Sequence, residues 1–336
     1  MFNDSFFMAC MFFISGLFVR DSLARRGAAN FLRHRASRLG VPYLISIFIL
    51  MPLAYYPTFL RYHLPDTTDF NFFHFWWHTL TIGPWPSGPA WFLWVLLALD
   101  AIAAAIWATA PGAIAALGRF ISSFRDRSII AFAAFLIVSI VIYLPLHLIF
   151  GDTAWFEPEG FPLPIQTSRV LLYAGYFFAG VGVGATNLRA GLFAEDGEMA
   201  KRWGVWLGFA AIFFGAILFL VYAHHNRVAD FNVPPLWWRM AYGLAFALFS
   251  AAMTFAEPAI FLHFAKASLR LLDAIRPSAY GIFLVHYVFI IWLQYGVYEP
   301  AWSPFVKFAI VFVGTLSLSW ATTLLSRRIP LVARMI

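Results

Sequence analysis

Residues 128–150 read SIIAFAAFLIVSIVIYLPLHLIF, a run without a single Lys, Arg, Asp or Glu. An α-helix rises about 1.5 Å per residue, so a run of this length covers the roughly 30 Å of hydrocarbon in a bilayer. Inside lipid each backbone N–H and C=O must pair within the protein, which makes such a run a helix. The rest of the chain reads alike. Of its 336 residues 62% are hydrophobic and 12% charged, against about 25% charged in an ordinary soluble domain. That leaves too few polar side chains to cover a soluble globule. It also leaves too much apolar surface for a disordered chain. The composition predicts an all-α polytopic transmembrane bundle in a single membrane-embedded domain over 1–336, with the lipid bilayer as partner and solvent.

Working outward from 128–150, the apolar runs give about nine spans, near 2–19, 41–60, 90–110, 128–150, 169–187, 203–223, 237–256, 279–297 and 304–325. Alternate crossing puts 20–40, 111–127, 188–202, 257–278 and the tail from 326 on one side. That side then holds all of the 23 cations except Arg61, Arg169, Arg227, Arg239 and Lys307. Cytoplasmic loops carry the excess of Lys and Arg, so loop 20–40 and the C-terminus are expected inside. The same bias accounts for the net charge of +7 without nucleic acid as a partner. The start lacks the basic lead-in of a secretory signal, and the lone Cys10 permits no intrachain disulfide. An odd number of spans with an internal C-terminus puts Met1 outside. From this the reading expects one further helix upstream. No internal repeat is visible, which removes one pointer to a secondary transporter.

Few residues can carry chemistry. Segment 20–40 contains Arg33, Arg35 and Arg38 and ends near Pro42; Arg35 and Arg38 share a face if the segment is helical. Guanidinium forks grip phosphate bidentately. The segment is therefore either a topology anchor or a grip for an anionic head group or a nucleotide-bearing donor such as coenzyme A. Ser15-Gly16 closes the first run and admits the backbone of another helix or a ligand. His286 lies about 10 Å into its span, and ionisable groups at such depth are functional candidates unless a neighbouring helix satisfies them. Asp100, in the middle of the third run, either relays a proton, meets a substrate hydroxyl or pairs with a neighbouring helix. His63, His74 and His78 lie among Phe72, Phe73, Phe75, Trp76 and Trp77. With no acidic or thiol partner in the pattern, they read as an interfacial aromatic belt and not as a metal site.

Several stretches, in order, resemble the integral membrane acyltransferase family 3. They are Phe12-Phe13-Ile14-Ser15-Gly16, Phe31-Leu32 through Arg35-Ala36-Ser37-Arg38 to Pro42, Pro89-Ala90-Trp91-Phe92-Leu93-Trp94, and Tyr280-Gly281-Ile282-Phe283-Leu284-Val285-His286. The likeness is closest to the branch of the glucan-modifying protein C, which succinylates periplasmic glucans. The resemblance implies transfer of an acetyl or succinyl group from an acyl-CoA donor to a hydroxyl of an envelope carbohydrate or glucan in a bacterial inner membrane. No cofactor stays bound. It implies donor or substrate binding by Arg35, Arg38, Ser15, Gly16 and Trp91, and matches His286 to the family's late-helix histidine. The family's first helix carries an arginine and a histidine that have no counterpart here, and His286 is the imidazole left to act as base. The alternatives are a transporter or flippase of an envelope glycan precursor, or an inactive remnant.

Overall fold

The computed structural model describes residues 2–63, 71–82, 87–158, 161–186, 191–194, 196–227, 234–264, 270–333 and 335. The side chains of His63, Asn226 and Arg227 lie outside the described set, as do parts of the loops 61–89, 151–168 and 188–202. In chain order the helices are α1 (Phe7–Gly16), α2 (Val19–Arg35), α3 (Val41–Ile45), α4 (Met51–His63), α5 (Phe72–Thr81), α6 (Trp91–Thr109), α7 (Pro111–Ser122) and α8 (Ser128–Phe150). They continue as α9 (Val170–Gly184), α10 (Glu198–Lys201), α11 (Trp203–Arg227), α12 (Leu236–Phe264), α13 (Arg270–Ile275), α14 (Ala279–Gly296), α15 (Pro304–Ser326) and α16 (Pro330–Ala333). Strand pairing among the described residues is confined to two antiparallel dipeptides, Trp155–Phe156 and Ile165–Gln166. The chain is an all-α polytopic membrane protein.

Among the described residues, seven helical segments have the length and hydropathy to cross a bilayer: Val19–Tyr62, Gly88–Thr109, Ser128–Phe150, Trp203–His225, Leu236–Phe264, Arg270–Gly296 and Pro304–Ser326. The two other expected spans hold shorter helices, α1 of 10 residues and α9 of 15. α1 starts five residues later than expected, whereas α9 starts within one residue of its expected place and ends three short of it. Asn3–Ser5 and Thr167–Arg169 each form a 3-10 turn ahead of the helix. The two turns are tied together, because the Arg169 guanidinium donates to both carboxylate oxygens and the carbonyl of Asp4 at 2.8–3.0 Å. Segment 20–40, read as a loop, is largely helical. Gly27, at φ +72°, breaks α2 there without a steric penalty.

Contacts divide the chain into two compact units. The first comprises Met1–Leu32, Ala98–Phe156 and Ile165–Ala267. Its core joins Phe132, Trp206, Phe249 and Phe255 to a stripe of alanines on α12. Small residues let helices approach closely where lipid supplies no hydrophobic drive. The closest approach is between α1 and α9, which run parallel with Phe13–Leu17 against Phe177–Gly184. A methyl built on Gly16 would lie 2.2 Å from the Phe177 carbonyl oxygen, and one on Gly180 2.0 Å from that of Phe13.

The second unit comprises Arg33–Leu97, Glu157–Pro164 and Ser268–Ile336. Here α4 packs with α14 and with α5, and α14 packs with α15. Three prolines shape it. Pro42, Pro52 and Pro57 lack the N–H that would bond to the carbonyl four residues back. Those carbonyls belong to Arg38, Phe48 and Leu53. Each accepts a hydrogen bond from an aromatic donor on another element: Tyr280 Oη to Arg38, Trp76 Nε1 to Phe48 at 2.7 Å, and Trp292 Nε1 to Leu53 at 2.9 Å. The backbone widens into π-helical turns at Ala36–Gly40 and Ser46–Leu50, next to Pro42 and Pro52. The aromatic donors thus satisfy backbone groups that would be costly to leave bare in lipid.

Candidate functional site

In the second unit α14 gathers the residues the sequence singled out. At its first turn Tyr280 bonds to the Arg38 carbonyl, and the charges of both Arg38 and Arg35 reach its phenol. Arg35 closes α2 and is half-buried, while Arg38 lies in the adjoining π-turn and is exposed. Arg327, at the end of α15, donates to the Pro277 carbonyl at 3.2 Å, beside Arg276. The end of the unit that holds the start of α14 is therefore dense in guanidinium groups.

His286 lies six residues beyond Tyr280, about 9 Å along the helix. Its Nδ1 donates to the Phe283 carbonyl at 2.6 Å. A neutral ring whose Nδ1 carries the proton keeps its lone pair on Nε2, which is the atom a base needs. The segment leading into α6 packs on both sides of this histidine. Phe92 meets Phe283 edge-on at 6.0 Å, and a methyl on Gly88 would press on Met51 and on the Tyr287 ring. Trp91 begins α6 and is buried. Arg35, Arg38, Trp91 and His286 therefore belong to one unit, where the Arg38 carbonyl accepts from Tyr280 of α14 and Phe92, next to Trp91, meets Phe283 of the same helix.

Of the other candidates, Ser15, Gly16 and Asp100 belong to the first unit, and His74 and His78 to the second. Gly16 is packed against the α9 backbone with no room for a methyl, and Ser15 beside it is half-buried. Asp100, on α6, is completely buried. His74 and His78 lie one turn apart on α5, which Asn71 caps by accepting from the Phe73 N–H at 2.9 Å. Trp76 of this helix makes the bond to Phe48, so the aromatic-rich loop is partly a packed helix.

Sequence reasoning missed a polar network in the first unit. His147, near the end of α8, faces the Asp152 carboxylate through Nδ1 at 3.0 Å and the Arg239 carbonyl through Nε2 at 3.1 Å. Tyr143 donates to the same carboxylate at 2.7 Å. Gln166 donates to the Asp152 carbonyl, and Arg239 to the carbonyl of Leu148. Burial pushes the Asp152 carboxyl up. The hydrogen bonds from His147 and Tyr143 and the charges of His147 and Arg169 outweigh it and hold the group below the ordinary carboxylate value. The spacing Tyr143, His147, Asp152 at the end of a span was the available signal.

The model of one family, described as an acyltransferase domain, matches residues 1–324. No curated protein and no solved structure matches the chain.

Proposed function

The chain belongs to acyltransferase family 3, and from that premise we propose that it moves an acetyl or succinyl group from acyl-CoA to a hydroxyl of an envelope carbohydrate. In this reading the arginine-dense end faces the cytoplasm of a bacterial inner membrane. Arg35 and Arg38 hold the donor's phosphates there through charge-assisted bonds. The thiol arm runs along α14 toward His286. Nε2 of His286 takes the proton of the acceptor hydroxyl as its oxygen attacks the thioester carbonyl. The tetrahedral intermediate then expels the thiolate of CoA, which recovers the proton from the imidazolium. Trp91 shapes the path of the donor.

One observation carries the reading. A single helix is tied to the arginine segment at its first turn through Tyr280 and, about 9 Å further on, holds an imidazole whose Nδ1 donates to the Phe283 carbonyl. The test uses membrane vesicles holding the full chain, given labelled acyl-CoA and an envelope glucan. Arg35→Ala and Arg38→Ala should raise the KM for the donor about 10–100-fold each, the loss of a charge-assisted bond. His286→Gln should lower kcat about 100-fold or more. Full activity in the double arginine variant would reject donor binding at this segment.

A further inference from the structure

At the other end of the second unit, where α4 ends, α14 ends and α15 begins, lies an open cleft of about 690 Å³. Its organiser is Tyr298. The Arg61 guanidinium lies 3.5 Å over the Tyr298 ring and 5.3 Å from that of Tyr62. The Lys307 ammonium donates to the Tyr298 carbonyl at 2.9 Å, which leaves two of its three donors for another partner. Both cations line the cleft, no carboxylate does, and among the described residues neither cation forms an ion pair. These are two of the few cations that the charge pattern leaves away from the arginine-rich side.

The walls change character along the helices. The rim carries Arg61, Lys307 and the tyrosines. Over the next turn and a half of α15 come Phe308, Val311 and Phe312, faced by Ile290 and Ile291 of α14. Phe308 and Phe312 stack at 5.7 Å and are 67% and 58% exposed. Lys307 to Phe312 is five residues, about 7.5 Å. A cationic mouth over a phenyl and aliphatic trough matches a molecule with an anionic head and a hydrocarbon tail. Inward of the mouth only Thr58 and Gln294 among the lining residues are polar, which suits a hydrocarbon chain better than a free sugar or a soluble anion. The ring of Tyr62, Tyr295 and Tyr298 at the mouth fits the depth of lipid head groups, where amphipathic aromatics settle.

We propose that this cleft binds an anionic phospholipid of the bilayer. Its phosphate lies between Arg61 and Lys307, and one acyl chain lies along Phe308, Val311 and Phe312. The site is independent of the acyl-transfer reading and lies at the opposite end of α14 from Tyr280.

The test is native mass spectrometry of the purified full chain, titrated with phosphatidylglycerol or with phosphatidylcholine of the same acyl chains. A third arm adds inorganic phosphate as competitor. One phosphatidylglycerol should be retained in preference to phosphatidylcholine. Arg61→Gln combined with Lys307→Gln should weaken its retention about 30-fold, from roughly fivefold per basic group. Lys307→Arg should keep it. Phe312→Ser should weaken retention of phosphatidylglycerol while leaving the charge preference. Equal retention of the two lipids, or a double glutamine variant that still prefers phosphatidylglycerol, would overturn the proposal. So would displacement by millimolar inorganic phosphate, which would mark a site for a free anion. Both cations are at the rim and partly exposed, so the glutamine changes test binding without emptying a core.

Discussion

The parallel contact of α1 with α9 makes a sharp prediction about one methyl group. In Gly180→Ala the new carbon would lie 2.0 Å from the Phe13 carbonyl oxygen, 2.9 Å from its carbon and 3.2 Å from the Gly16 Cα. Even a weak C–H···O contact needs about 3.3 Å or more, so the helices must separate by roughly 1.3 Å. The obstacle is backbone, and no side chain can swing aside. A gap of about 0.5–1 Å already forfeits a quarter to a half of each dispersion contact along the seam. Overpacking of this kind costs about 1–3 kcal/mol, and the upper half of that range applies here. Against it stands the gain of about 0.5–1 kcal/mol from replacing glycine within a helix. The net expected loss is ~2 kcal/mol. Gly208 and Gly215 on α11 are the controls, since a methyl at either meets nothing within 4 Å. Gly208→Ala should be neutral or slightly stabilising. The chain supplies its own reporter, because its single cysteine, Cys10, is buried on α1 with its thiol donating to Glu257 at 3.1 Å. A thiol-reactive dye in mild detergent labels Cys10 only when this helix opens. Gly180→Ala should then label roughly 30-fold faster than the parent. Labelling at the parental rate, or equal damage from Gly208→Ala, would refute the close-packing argument.

The proline-freed carbonyls predict a thermodynamic cycle. Trp292→Phe strands the Leu53 carbonyl and should cost about 1–3 kcal/mol in thermal stability; in a Pro57→Ala background, where the N–H is restored, the same change should cost less. Equal costs in the two backgrounds would show that the indole bond does not replace the missing helix bond. The Asp152 carboxyl has a folded value below its unfolded one, so it adds stability above the ordinary carboxylate range and loses it as pH falls through its folded value. Melting followed from pH 7 to pH 3 should show that loss, and Asp152→Asn should be less stable at pH 7 but flatter with acid; an unchanged acid slope would count against the network. His147→Gln should lower the melting temperature by several degrees and leave acyl-donor KM unchanged in the folded fraction, whereas His286→Gln should do the reverse to stability and turnover. If His147→Gln abolishes turnover in fully folded protein, the network has a catalytic part.

Much of the architecture was legible because hydropathy acts locally. Residues 128–150 form α8 over the same range, and the runs near 279–297 and 304–325 form α14 and α15 within a residue or two. The errors have physical sources. A hydropathy window averages over Asp4 and Arg169, two charged residues at the starts of apolar runs. Their mutual ion pair lets the chain keep both at the heads of α1 and α9. Gly27 carries no sign in the sequence of whether it ends a helix or kinks one. The prolines at 42, 52 and 57 were visible, but their partners Tyr280, Trp76 and Trp292 are up to 242 residues away in the chain. No spacing rule connects them. The arginine segment and His286 were legible as candidates, since ionisable groups near or within spans stand out. That Tyr280 joins them was not. His147 escaped for the opposite reason: it lies at the end of its span, and Asp152 beyond the span drew no attention as its partner.

The two imidazoles show why a pattern of residue types underdetermines chemistry. A histidine oriented by a carboxylate is the arrangement most often sought in a hydrolase or transferase, and His147 with Asp152 has it. Yet a base needs one nitrogen turned toward the substrate. In His147 both are engaged, one by the carboxylate and the other by the Arg239 carbonyl, and the ring is only 3% exposed. Gly243 presses on its edge, so that a methyl there would lie 2.5 Å from the ring carbon. Moving a hydroxyl to Nε2 would mean breaking the bond to α12 and opening the contact of α8 with α12. That cost works against catalysis and in favour of holding helix ends together. His286 lacks a carboxylate, but the carbonyl one turn back accepts from its Nδ1–H as a carboxylate would, so the neutral ring has its lone pair on Nε2. Availability of the second nitrogen, and not the presence of the first partner, decides which histidine can take a proton.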